Sequence, residues 1–215
     1  MIVLESEKIN ICDESGKHIG VASREEIHRL GLWHETFHCW IATAEDGKDW
    51  IHLQLRSKEK KDFPSLFDIT AAGHLLANET IENGIREVEE ELGLSVPFEN
   101  LISLGVIRDQ ISQNGFVDNE RSHVFLYKEK ANIDAVYVLQ KEEVSGMVKV
   151  EFQQFHDLCV GKIEEVEVDG FGIADEQNNY PLRKKISLRH LVPHSQGYLE
   201  RVVTLIAQKL ENGTI

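Results

Sequence analysis

The chain has 215 residues, with 23 Lys plus Arg against 37 Asp plus Glu, a formal net charge of −14. Its length accommodates one well-buried domain with an appendage, or two small ones, and 41% hydrophobic with 28% charged residues excludes collagen-like, low-complexity and disulfide-scaffold chains. The negative surplus argues against a long nucleic-acid partner, whose affinity rests on Lys and Arg neutralising phosphates, yet it admits a small phosphorylated ligand with a metal cation between the two.

In chain order, residues 7–22 read as a hairpin turning at Glu14-Ser15-Gly16. Ser23 with Glu26 three residues on is a capping box, which predicts a short helix from Arg24 to Leu30 that stops at Gly31. Aromatic and β-branched composition predicts strands over Phe37–Thr43 and Trp50–Leu55, with a turn at Asp46-Gly47. The Lys and Glu run at Lys58–Asp62 reads as a solvated loop. A loop and a helix follow, then strands at Leu101–Ile107, Ser122–Lys128, Ala135–Leu139 and Val148–Phe152, and an amphipathic helix over 197–211. Interleaved strands and helices predict α/β layers. Cys12, Cys39 and Cys159 are an odd, widely spaced set with no C-x-x-C pair, as expected of thiols in a reducing compartment. The N-terminus acquires charge too early for a signal peptide, and no apolar run approaches the ~20 residues needed to cross a bilayer. A cytoplasmic chain without a membrane partner is expected.

The chemistry concentrates between Ile81 and Leu92, the segment expected to be helical. At about 100° per residue, Ile81, Ile85, Val88 and Leu92 form one apolar stripe. Glu87, Glu90 and Glu91 share a neighbouring arc, with Arg86 one turn before Glu90 and able to pair with it, and Gly93 supplies the left-handed stop. Like charges at these spacings oppose each other and the helix dipole. Hard oxygen donors so arranged suit Mg²⁺ or Mn²⁺ bridging to substrate phosphates.

Gly73 to Leu94 resembles the Nudix box, G-x5-E-x7-R-E-U-x-E-E-x-G-U with U aliphatic: Gly73, Glu79, Arg86, Glu87, Val88, Glu90, Glu91, Gly93 and Leu94 supply every fixed position. Only Thr80–Ile85 separate Glu79 from Arg86, one residue fewer than the pattern, and the shortening falls at the loop-to-helix entrance. The resemblance implies an α/β/α sandwich with a mixed sheet, here carrying an N-terminal hairpin and a C-terminal helix. It also implies divalent cations on Glu87, Glu90 and Glu91, carboxylates oriented by Arg86, and a loop shaped at Gly73. The expected division is 1–35 for the hairpin and short helix, 36–165 for the hydrolase domain and 166–215 for a C-terminal extension, together one globular unit.

Residues 8–155 also resemble the isopentenyl-diphosphate isomerase-like branch of that superfamily, through GKHIGVASREEIHRLGLWHETFHCWI, SLFDITAAGH and VDNERSHVFLY. Isomerases hold a metal at positions matched here by His28, His34, His74, Asp118 and Glu120, but Ala72 stands where they carry a catalytic cysteine. Loss of the thiol removes one of two acid/base partners, while the retained carboxylates serve hydrolysis. The reading is therefore a Mg²⁺-dependent hydrolase of a nucleoside diphosphate linked to another moiety, or a similar organic pyrophosphate. Glu87, Arg86 and Glu120 are its candidate catalytic residues, Glu87 or Glu120 being the base, and Gly73 and His74 border the substrate. The alternatives are a prenyl-diphosphate isomerase and a non-catalytic nucleotide- or metabolite-binding module. Taken singly, His34, His38 and His52 read as packed or surface residues, and His156, His190 and His194 carry no role. Oligomeric state is open, a homodimer included.

Overall fold

The expected hairpin forms from strands β1 (Lys8–Cys12) and β2 (His18–Ser23), paired antiparallel. The computed structural model describes residues 7–113, 115–129, 137–174 and 178–211. Helix α1 (Arg24–Leu30) starts at the capping box: Glu26 N donates to Ser23 Oγ at 3.3 Å and Ser23 N donates to Glu26 Oε2 at 3.0 Å. Gly31 ends it at φ 64°, where a Cβ would meet Val117 Cγ1 at 2.8 Å. Ile27, fully buried, anchors α1, and the same turn brings His28 inward.

Strands β3 (Trp33–Glu45) and β4 (Lys48–Arg56) outrun their expected spans, because a two-residue turn with positive φ at Asp46 and Gly47 lets them pair to their tips. Next come β5 (Phe67–Asp68), β6 (Ala71–His74), β7 (Ile102–Gln113) and β8 (Phe116–Glu129). β3 is the hub: it runs antiparallel to β4 and β6 and parallel to β8, in register from Trp33 with Asn119 to Thr43 with Glu129. β4 continues the mixed sheet through β9 (Val144–Glu151) to the hairpin of β10 (Val166–Ile173) and β11 (Asn179–Ile186).

Along β3 the alternation divides two cores. Phe37, Cys39 and Ile41 face helix α2 (Arg86–Leu92) with Val88 and Leu92, while Trp40 and Ala42 face helices α3 (Phe152–Cys159) and α4 (Gln196–Glu211) with Phe155, Tyr198 and Val202. The architecture is the expected α/β/α sandwich with a mixed sheet, N-terminal hairpin and C-terminal helix.

Three expectations need correction. The helix predicted over Ile81–Leu92 is a 3₁₀ turn at Ile81–Ile85 followed by α2. A 3₁₀ turn rises about 2.0 Å per residue against about 1.5 Å in an α-helix, so it spans the shortened entrance with one residue fewer. Gly84 permits the close approach, since a Cβ there would lie 2.6 Å from the Phe37 side chain. The strand expected at Val148–Phe152 starts at Val144 and ends at Glu151, because Phe152 opens α3 and its buried neighbours Phe155, Leu158 and Cys159 recur at helical spacing. Of the strand expected at Ala135–Leu139, residues 135 and 136 lie outside the described residues and 137–139 are irregular. Among the described residues no helix is long and apolar enough to cross a membrane.

Candidate active site

The end of β6, the loop after it and α2 form one wall of a cavity of about 240 Å³. Gly73 has no side chain because Glu87 occupies that space: a Cβ at 73 would overlap the Glu87 carboxylate. Arg86 is the organiser. Its Nε and Nη2 donate to the two oxygens of Glu79 at 2.7 and 3.1 Å, Nη2 also reaches His74 O at 3.1 Å, and Nη1 lies 2.6 Å from Glu87 Oε1 and 3.2 Å from Glu90 Oε2. Glu79 Oε2 also accepts from Leu76 N at 2.8 Å. The one-residue shortening thus leaves the Glu79–Arg86 fork intact.

Glu87, Glu90 and Glu91 all line the cavity. Glu91 is buried, 5% exposed, and its Oε2 accepts from Gln54 Nε2 at 3.2 Å. Burial and the neighbouring Glu87 push its carboxyl up to about 8, and burial pushes Glu87 up to about 7 against the pull of Arg86. Among the described residues nine carboxylates line the cavity against four Arg or Lys side chains. Those cations are already engaged: Arg24 with Asp62 at 3.1 Å, Arg56 with Asp68 at 2.8 Å, Lys60 with Glu143, and Arg86 as above. A diphosphate alone would be repelled here. Carboxylates this desolvated and crowded fit a hard divalent cation, which would restore their ionised form and bridge to phosphate.

Two sets of donor atoms lie closer together than the three glutamates. His28, His34 and His74 form one, and His34, Asp118 and Glu120 the other, each within 4.8 Å. His34 Nδ1 donates to Leu32 O at 3.0 Å, which leaves its Nε2 as the ring atom facing Asp118 Oδ1, 3.4 Å away. His28 Nε2 lies 3.4 Å from the same oxygen. The Nε2 atoms of His28, His34 and His74 and Asp118 Oδ1 are buried without hydrogen-bond partners. Burial holds His74 well below the ordinary histidine range, keeping it neutral as a metal ligand must be. His34, fully buried as the packed reading expects, is also a member of a donor cluster, and His52 is buried against Thr43 Oγ1 at 3.0 Å.

The opposite wall holds residues to which the sequence analysis gave no part. His194 is buried, with Nδ1 2.6 Å from Asp109 Oδ2 and Nε2 2.9 Å from Asp68 Oδ1, and it lines the cavity. His38, read as packed or surface, lines it too, with Nε2 3.1 Å from Glu120 Oε2. Glu120 sits opposite His34 in the β3–β8 register and also accepts from Ser122 Oγ at 3.2 Å.

The NUDIX domain family matches residues 32–169. The chain is 38% identical over 200 residues to an uncharacterized Nudix hydrolase of Clostridium acetobutylicum, covering 93% of this chain and 97% of that protein. It is 29% identical over 151 residues to an isopentenyl-diphosphate Delta-isomerase of Saccharopolyspora erythraea, covering 69% and 74% respectively. A MutT/nudix family protein from Enterococcus faecalis shares the fold, with a TM-score of 0.51 at 12% identity over 82% of this chain and 62% of that one. Fold, box helix and sequence agree, and the chain belongs to the Nudix hydrolase family.

Proposed function

We propose that this pyrophosphohydrolase cleaves a nucleoside diphosphate linked to another moiety, or a similar small organic diphosphate, with Mg²⁺ or Mn²⁺. The observation that carries the reading is the convergence of Glu87 and Glu90, tied by Arg86, and of Glu91 on a cavity faced by Glu120. Those three glutamates would hold the cation. When bound, it supplies positive charge to the diphosphate oxygens and makes water more acidic. Arg86 keeps the carboxylates in place through its fork to Glu79. Glu120, held by His38 and Ser122, takes the proton of the water whose oxygen attacks phosphorus, while the bridging P–O bond breaks and its electron pair leaves with the departing phosphate.

Glu120→Gln keeps the shape and removes the base, so kcat should fall about 10²- to 10³-fold with Tm unchanged. The measurement is turnover of a diphosphate panel in Mg²⁺, including ADP-ribose and isopentenyl diphosphate. Near wild-type rates in Glu120→Gln would return Glu120 to the status of a strand residue.

A second reading, isomerisation of a prenyl diphosphate, is favoured by the cluster of His28, His34, His74 and Asp118, which would hold a second cation, and by the likeness to the isomerases. Among the described residues no cysteine lines the cavity, and Ala72, opposite His38 in the β3–β6 register, stands where the isomerases carry theirs. Migration of the double bond of isopentenyl diphosphate, followed by proton NMR, would establish it. Diphosphate hydrolysis without that migration is the expected result.

A further inference from the structure

Beyond the matched region of 32–169, the segment that enters α4 reaches back to the cavity wall. Its approach is fixed by charge: His194 bridges Asp109 and Asp68, and Ser195 N donates to Asp109 Oδ1 at 2.8 Å. The first turn of α4 is thereby pinned. The Tyr198 ring stacks on His194 with centroids 5.1 Å apart, and the Tyr198 hydroxyl lies 2.7 Å from His38 Nδ1. Tyr198 and His38 are 1% and 2% exposed, so no bulk water competes for this contact.

The direction of these hydrogen bonds follows from chemistry. His38 Nε2 lies 3.1 Å from Glu120 Oε2 and 3.3 Å from Thr36 Oγ1, and since a carboxylate only accepts, a proton on this nitrogen suits the contact with Glu120. A ring carrying only that proton has a bare Nδ1, to which the Tyr198 hydroxyl donates. With the proton on Nδ1 instead, the Thr36 hydroxyl would donate to Nε2 and two lone pairs would oppose each other at Glu120.

We propose that Tyr198 is a positioning residue of the hydrolase: its hydroxyl holds His38 in the Nε2-protonated form, and that N–H holds the Glu120 carboxylate toward the cavity. Tyr198 does not line the cavity and acts through His38. The inference rests on the reading that Glu120 acts in catalysis. It makes the C-terminal segment part of the reaction centre, although its residues lie far from the box in sequence.

Tyr198→Phe removes one oxygen from a buried ring and leaves the rest of α4 in place. In the chain labelled with ¹⁵N-histidine, the His38 signals, identified by their loss in His38→Gln, should show a protonated Nε2 and a bare Nδ1. In Tyr198→Phe they should move toward a mixture of the two protonation patterns, because the bare Nδ1 has lost its donor. An unchanged His38 pattern overturns the inference. In turnover of the best diphosphate of the panel, Tyr198→Phe should lower kcat about tenfold and leave KM within twofold. The same substitution made in His38→Gln should cost nothing further, since an amide donates to Glu120 without a tautomer to fix. Equal losses in both backgrounds would mean that Tyr198 acts by packing, and would also overturn it. Retention of activity by Glu120→Gln would remove the catalytic reading of Glu120, and the histidine signals would still decide whether Tyr198 sets the ring.

Discussion

Glu91→Gln should inactivate the enzyme and stabilise its metal-free form. On the proposed reading the expected loss in kcat is about 10³-fold, a barrier increase of roughly 4 kcal/mol, because one ionised oxygen ligand would be lost from a site where charge neutralisation of the diphosphate would supply several kcal/mol. The stability change has the opposite sign. In the folded chain burial and Glu87 raise the Glu91 carboxyl to about 8 from an ordinary 4.5, so the folded state binds a proton that the unfolded state releases. Stability therefore falls as pH rises from about 4.5 and the penalty is complete above about 8, where it amounts to on the order of 2–4 kcal/mol. Below pH 4.5 wild type and variant should melt together. At pH 8 in a chelator the variant should have the higher Tm, and added Mg²⁺ should raise the wild-type Tm by mass action and leave the variant nearly unmoved. A variant less stable than wild type at pH 8 in the chelator would overturn the destabilising burial of the Glu91 carboxylate, and a variant whose Tm rises with Mg²⁺ as the wild type's does would refute its part in metal binding.

The same opposition between local stability and function explains what could be read in advance. That Arg86, Glu87, Glu90 and Glu91 lie toward one side of a single helical segment was legible because a helix repeats every few residues. The capping box at Ser23 and Glu26 and the stop at Gly31 were legible for the same reason: all their atoms lie within one turn. The 3₁₀ entrance at Ile81–Ile85 was not, since the apolar stripe of Ile81, Ile85, Val88 and Leu92 suits an α-helix equally well and the deciding contact is Gly84 on Phe37, between distant residues. β10 carried a usable signal, Val166 and Val168 alternating with acids, and α3 another in the spacing of Phe152, Phe155 and Cys159. The histidine cluster gave none by itself. His28 comes from a helix, His34 from one strand and His74 from the end of another, so only the tertiary fold or the isomerase resemblance brings them together. His194 is the extreme case: its partners Asp68 and Asp109 are 126 and 85 residues away.

For that reason His194→Ala should be the most destabilising single change on the far wall. The imidazole is held between two carboxylates, and although burial alone would lower its pKa, hydrogen bonds and charge from Asp109 and Asp68 raise it to about 10 from an ordinary 6.5. Both aspartates are held below the ordinary carboxylate range, mainly by His194 acting against burial, with Arg56 adding to the effect at Asp68. Removing the ring strands a buried charge on Asp109, for which breaking a buried pair costs about 3–5 kcal/mol, or roughly 10 °C in Tm for a chain of this size. The pH dependence separates this account from a simple cavity. The histidine's contribution is complete below about pH 6.5 and disappears as pH rises through about 10, while the aspartates' contribution is present above their ordinary 3.8 and disappears as pH falls. The Tm advantage of wild type over His194→Ala should therefore be greatest between about pH 4 and 6.5 and shrink toward pH 10, as thermal melts across that range would show. Adding Asp109→Asn to His194→Ala should recover part of the loss, since the stranded charge is gone. A Tm difference that is constant from pH 5 to 10, or a double variant worse by the full sum of the two single changes, would mean that His194 fills space and does not bind the two carboxylates by its charge.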